Sequence, residues 1–414
     1  MATRIASDET VKGGNGTLPA VFRDEPARIA SAREEAWAHY QALPVPERSS
    51  HLWRYTDPAE FALADRPVLS LSPGEVAIDI DRRARSAGVV VVPLADAAAA
   101  MPGLVGAHLG RLVGPTYGKP EALNLALWSA GHLVRIPRGV QLETPIRITT
   151  TLGGERGFRA VRNLIVFEEG SSGTIVEESR GPGDDSGHSL NEVTELFAGP
   201  NCRIRIVPLQ HLGRGVVSHR TLGVRLARDA HLLTVVASFG AGLYKADIRA
   251  QLDGPGAESR IIGVCLADER QRVDHHTVQD HRGQRTRSDI DFRVVLAGRA
   301  RSAYTGLIRI AQDAPFCEAY QENRNLLLSD SARAESIPEL EILTDEVRCK
   351  HGATVGPIDP EQLFYLGSRG LSPAGAMRMI VTGFLEAALV HLPEDLVERL
   401  RGEMAHRLEE IARR

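Results

Sequence analysis

The sequence predicts a mainly β fold: a right-handed parallel β-helix-like core over residues 131–356, flanked by an N-terminal mixed, mainly helical region (1–130) and a C-terminal helical region (357–414). Three observations predict it. From Gly131 to about residue 345 apolar and polar residues alternate with a period of two, as in His132-Leu-Val-Arg-Ile136 and Ile146-Arg-Ile-Thr-Thr150. Within that stretch an apolar anchor, a Gly or Asp, and a small residue recur before a new β run. Phe167, Phe197, Leu226, Leu252, Leu296 and Leu328 anchor these units, at spacings of 30, 29, 26, 44 and 32 residues. A near-30 echo is what stacked coils require, since one coil cannot bury its apolar face alone. A β-sandwich would alternate equally well but needs no such echo. Third, the period changes from two to 3.6 on either side of the β region.

Taken in order, residues 1–25 are polar and glycine-containing, which predicts a frayed start. Ile29, Ala32, Ala36, Trp37 and Tyr40 fall on one face of a helix over about 26–42. Pro44-Val-Pro46 ends it, and Trp53-Arg-Tyr-Thr56 follows in a loop whose aromatics are expected to pack against that helix. Ser86–Val92 predicts a short buried strand, and residues 95–130 predict helix, with Ala122–Trp128 an apolar turn. Past Gly356, Pro357–Gln362 is a turn or helix start. Ser372-Pro373 reads as an N-cap followed by proline at the first helical position. Met377, Ile380, Val381, Phe384, Leu385, Ala388 and Leu389 then form an amphipathic stripe. A second stripe, Leu396, Leu400, Met404, Leu408 and Ile411, follows Pro393.

Composition narrows the function. With 43% hydrophobic and 25% charged residues and a net charge of −4, the 414-residue chain has no basic field for nucleic acid, and 5% aromatics offer no stacking surface for bases. No apolar run approaches 18 residues and the first residues carry no apolar signal core, so a cytoplasmic chain without membrane contact is expected. The four cysteines, Cys202, Cys265, Cys317 and Cys349, form no C-x-x-C, which argues against a self-contained zinc or ferredoxin-type site. The nearest approach to a phosphate loop, Gly114-Pro-Thr-Tyr-Gly-Lys-Pro120, is one residue short and has Pro120 where Mg²⁺ needs a hydroxyl, so no nucleotide is expected to bind here. Neither G-x-S-x-G nor H-E-x-x-H occurs.

Two clusters could carry chemistry. Asp274-His-His-Thr-Val-Gln-Asp-His281 is the densest in histidine; on a strand His275 and His281 share one face and His276 the other. Side chains on the outside of a coil, hydrogen-bonded to neighbouring coils, explain it without a metal. The second is Cys349 and His351 in Asp345-Glu-Val-Arg-Cys-Lys-His-Gly-Ala-Thr-Val-Gly356. Two apart on a strand, both leave the same face. Thiolate and imidazole suit iron–sulfur clusters and zinc, but two ligands close no site. The pair is either half of a shared or open site or two ordinary strand residues.

Asn323–Ser329, Ile337–Ile342, Asp345–Gly356 and Leu363-Phe-Tyr-Leu-Gly-Ser-Arg-Gly370 together resemble the SufB/SufD family of iron–sulfur cluster assembly proteins, on its SufD side. Ile136-Pro-Arg-Gly139, Ala122-Leu-Asn124 and Trp53-Arg-Tyr-Thr56 also suit it. SufB-like chains carry further cysteines and read His-Glu-Ala where this chain has His351-Gly352-Ala353. The resemblance implies a β-helix with helical ends, acting as a non-catalytic scaffold. It implies a SufB partner at the β-helix edge and a SufC ATPase on the C-terminal helical region, with a homodimer possible for the chain alone. It also implies that His351, with Cys349, supplies part of a transient iron–sulfur site shared with SufB. Two competing expectations are a β-helix carbohydrate-active enzyme, a lyase or hydrolase, and a purely structural partner subunit without metal contact. The first would show paired carboxylates at fixed coil offsets and aromatic platforms, and neither stands out.

Overall fold

The computed structural model describes residues 10–12, 18, 25–61, 63, 68–70, 74–153, 157–181 and 187–413. Its centre is a parallel β-solenoid of about seven turns. Two nine-stranded sheets face each other, and successive strands of the chain alternate between them. All pairings within both sheets are parallel except the first of each, where Gly74–Asp79 and Val90–Pro93 run antiparallel to Ile146–Leu152 and His132–Ile136. The frayed start expected for residues 1–25 lies largely outside the described residues; within it, Thr10–Lys12 pairs with Val68–Ser70.

The recurring small-residue signal is a corner of the coil. One residue per coil takes a left-handed conformation there: Gly170, Asn201, Asp229, Gly256, Arg285 and Phe316. Each is followed by a small, fully buried residue, forming a column of Ser171, Cys202, Ala230, Ala257, Thr286 and Cys317. The positive φ turns the chain into the next strand, and the small side chain lets successive coils stack. Cys202 and Cys317 are therefore corner residues. Cys265 faces the lumen, where burial pushes its thiol up to about 12.

The 44-residue gap between anchors has a definite cause. In one sheet Phe167, Ala198, Leu226, Leu252, His281 and Ile310 are successive register partners. His281 holds an anchor position, so a search for apolar anchors passes over that coil. Leu296, with its partner Leu327, belongs to the other sheet.

Alternate strand residues fill the lumen, chiefly with Ile, Leu and Val such as Ile165, Ile206, Leu222, Ile248 and Ile290. The outer faces are covered as well. The N-terminal region packs on one sheet: the helix Ala27–Ala42 buries Ile29, Ala36, Trp37 and Tyr40, and the helix Lys119–Leu127 is buried throughout. Helices Pro373–Leu389 and Glu394–Arg413 pack Val381, Leu385, Leu389, Leu396 and Leu400 against Val207, Val235 and Ile262 of the other sheet. Ser372 caps the first of these, its Oγ accepting from Gly375 N–H at 3.2 Å. Among the described residues no helix is long and apolar enough to cross a membrane.

Candidate functional site

The solenoid is left open at its C-terminal end. Strands Arg333–Ile342 and Val347–Pro357 are the last in their sheets, each with a neighbour on one side only. Lumen-facing positions that are buried in every earlier coil are uncovered here. Ile342 continues the anchor column above Ile310, and Leu340 stands above Ile308, yet they are 36% and 37% exposed. Val355, above Asn325, is 47% exposed. Two backbone edges without a strand neighbour and an apolar rim therefore lie uncovered together.

Cys349 and His351 lie on this rim. They belong to Val347–Pro357, which pairs in parallel with Cys317–Leu327, placing Cys349 over Ala319 and His351 over Gln321. Ala319 and Gln321 are buried lumen residues, so the pair continues the lumen-facing columns into the open. Cys349 is half-buried against Ile308, Ile310, Cys317 and Ala319. Burial raises its thiol pKa above the ordinary range, and neighbouring Cys317 adds to the rise. His351 is exposed, and among the described residues nothing hydrogen-bonds or ion-pairs with it. Their Cα atoms are roughly 7 Å apart, as two residues of strand rise dictate. The arrangement presents one soft and one borderline donor on an unfinished coil, and two donors alone close no metal or cluster site.

The other histidine cluster is divided between two environments, not laid on the outside of a coil. His275 and His281 point into the lumen, because odd positions of Arg272–His281 face inward. His275 Nε2 meets Ser238 Oγ at 3.0 Å, and His281 meets Thr286 Oγ1 at 2.7 Å and Ser288 Oγ at 2.8 Å. His276 and Asp274 are on the outer face, buried beneath the N-terminal region. There Thr56 donates to Asp274, Trp53 stacks on His219 at 6.2 Å, and Lys245 Nζ sits 5.0 Å over the Trp53 ring. Trp53-Arg-Tyr-Thr56 thus fastens the N-terminal region to the solenoid. Asn124 does the same, its Nδ2 donating to the Val161 and Asn191 carbonyls at 3.0 Å each.

A second surface adjoins the rim. Leu327, Leu328, Pro357, Phe364, Leu371 and Met377 line an apolar groove of about 920 Å³ between the last coil and the helices Pro360–Ser368 and Pro373–Leu389. Phe364 is 79% exposed beside it. Sequence reasoning named the Leu363–Gly370 stretch but not the groove, because helical periodicity shows which face is apolar, not whether a neighbour covers it.

Comparison with known proteins places the chain in a family. Residues 150–384 match the family described as SUF system FeS cluster assembly, SufBD core domain. The iron–sulfur cluster assembly protein SufB of Bacillus subtilis is 28% identical over 286 residues, 69% of this chain and 62% of that protein. A SufBD family protein of Staphylococcus saprophyticus is 26% identical, and one of Staphylococcus epidermidis 27%, over the same shares. The chain thus spans about 62% of the length of these curated relatives. With the family match covering most of the solenoid and reaching into the C-terminal helices, this chain belongs to the SufBD family of iron–sulfur cluster assembly proteins.

Proposed function

We propose that this chain is the SufD-type scaffold of a cytoplasmic assembly complex. In this reading the chain has no catalytic centre of its own. Its open solenoid end pairs edge to edge with a SufB-type subunit, and His351 and Cys349 hold part of a nascent iron–sulfur cluster there as cargo. The observation that carries the reading is the pair's place on an uncapped rim: lumen-facing, partnerless at His351, and flanked by two free β edges. A site completed only across an interface suits a scaffold, because separating the chains opens the shell and releases the cargo. The His351-Gly352-Ala353 sequence supports the SufD side of the family.

The groove beside Phe364 is the surface we assign to a SufC-type ATPase. It touches Pro357, the end of the strand bearing Cys349 and His351, so movement of the bound motor reaches the rim through one strand. In this reading the chain binds no nucleotide itself. Without SufB the same edges pair two copies of this chain. The test is co-purification with SufB- and SufC-type partners, then anaerobic reconstitution with iron and sulfide. The wild-type complex is expected to develop cluster absorbance and bound iron, and the His351→Ala complex to lose most of both. Normal cluster assembly in His351→Ala refutes the ligand assignment; failure to form any complex refutes the whole reading.

A further inference from the structure

Away from the rim, on the outer face covered by the N-terminal region, three side chains from distant parts of the sequence converge. Glu121 comes from the helix Lys119–Leu127, His219 from the strand Val217–Leu226 and Asp247 from the adjacent strand Leu243–Leu252. One potential ligand atom from each lies within 4.8 Å of the other two. His219 Nε2 is 3.3 Å from Asp247 Oδ2 and 3.8 Å from Glu121 Oε1. His219 is 2% exposed, and neither ring nitrogen meets good hydrogen-bond geometry, Nε2 keeping only ion-pair contact with the two carboxylates. The contact with Asp247 is thus an ion pair outside good hydrogen-bond geometry, and it leaves Nε2 lone-pair density directed between two carboxylates.

We propose that Glu121, His219 and Asp247 form a buried site for one divalent transition-metal ion, zinc-like in its nitrogen-and-oxygen donors, which staples the helix Lys119–Leu127 to two adjacent coils. Bonds of about 2.0 Å to a tetrahedral ion set neighbouring ligand atoms about 3.3 Å apart, which is the His219–Asp247 separation; Glu121 must close by about 0.5 Å towards His219 and, lying within 4.8 Å of Asp247, moves towards both. The surroundings hold the donors in place. Thr221 Oγ1 donates to Glu121 Oε1 at 2.8 Å, and the Trp53 ring lies parallel to the imidazole. Lys245 and His276 approach the other carboxylate oxygen of Asp247, Oδ1, at 3.7 and 3.4 Å, leaving Oδ2 for the ion. One nitrogen and two carboxylates are too few oxygens for calcium, which takes six to eight, and a histidine is foreign to magnesium sites.

The test uses the full chain carrying Cys349→Ser and His351→Ala, so that the rim contributes no metal and the outcome is independent of the cluster reading. After dialysis against zinc and then buffer, elemental analysis is expected to find about one zinc per chain, and cobalt to give the visible bands of a four-coordinate site. His219→Gln is expected to weaken zinc at least tenfold and abolish the cobalt bands; Glu121→Gln, which keeps the Thr221 hydrogen bond, serves if the first variant fails to fold. Three results overturn the proposal: no stoichiometric zinc in the folded parent, unchanged binding in either variant, or imidazole nitrogen resonances showing His219 Nε2 protonated in the presence of zinc.

Discussion

Lowering the pH from 7 to 5 is expected to strip the solenoid of stability through histidines held neutral in its lumen. His275 and His281 are enclosed in the lumen, and burial depresses both to about 4 from the ordinary 6.5; Asp274 and Asp280, respectively, oppose this, while His276 and Lys245 add to it at His275. A group whose folded value is depressed favours the folded state above its unfolded value and loses that contribution as pH falls. The window is therefore from about 6.5 down to about 4. At pH 5 an unfolded histidine is almost fully charged while the lumen keeps its counterpart neutral. Each then costs about 2 kcal/mol relative to pH 7, or about 4 kcal/mol together. Asp274, held down at about 2 chiefly by the opposing charges of Lys245 and His276 against its own burial, gives way only at lower pH and does not confuse the result. The assay is urea unfolding at both pH values for wild type and for His281→Gln, which keeps hydrogen-bonding capacity towards Thr286 and Ser288 but cannot titrate. Wild type is expected to lose stability steeply, and the variant to lose about 2 kcal/mol less between the two pH values. Equal pH dependence in the two proteins would mean that His281 is not held neutral in the lumen.

Three further outcomes follow from the same structure. Ile342→Lys with Val355→Glu places charges on the apolar rim, where docking would bury about 1 kcal/mol of apolar surface per residue. Partner or self association, read by gel filtration, is expected to fall by at least about a hundredfold while circular dichroism is unchanged. Cys349, its thiol pKa raised, is expected to alkylate more slowly than a free thiol at neutral pH and to accelerate as pH rises past the ordinary thiol range. Mass spectrometry across pH checks this, and fast labelling at pH 7 refutes it. Glu195 accepts from the backbone N–H groups of Gly110, Leu112 and Val113 and from buried Arg162 at 2.7 Å. Glu195→Gln leaves that guanidinium without its counter-ion and is expected to cost about 3–5 kcal/mol in denaturant unfolding.

Much of the architecture was legible in the sequence because a coil must repeat its chemistry. Strand alternation marked the lumen and the outer faces, and the Gly-or-Asp corner followed by a small residue marked the coil boundary. Where the signal failed, a polar residue had taken an apolar station. His281 fills the anchor column between Leu252 and Ile310, satisfied by two hydroxyls that only the fold brings near. Arg33 is another such case. It sits on the buried face of the first helix, paired with Glu25 and lying 4.2 Å over the Trp128 ring. Periodicity expects such a residue at the surface, since its counter-ion and ring partner are set by tertiary packing.

The candidate pair was legible in the sequence, but its place on the rim was not. A Cys-x-His pair in a strand reads the same whether it is packed or presented, and what decides between those two is whether another coil follows. In earlier coils the same two columns hold Ser288 and Ile290, then Ala319 and Gln321, all buried by the next layer. At Cys349 and His351 the stacking ends, so side chains that would otherwise be core become presented groups. The exposure of Leu340, Ile342 and Val355 at the same layer shows that this is a property of the whole rim. An apolar rim with two free edges is unfavourable in water for an isolated chain. In the proposed reading, the energy that would stabilise docking and the incompleteness of the ligand set have one structural origin, the missing next coil. A partner that supplies that coil covers the rim and is positioned to complete the ligand shell in one step.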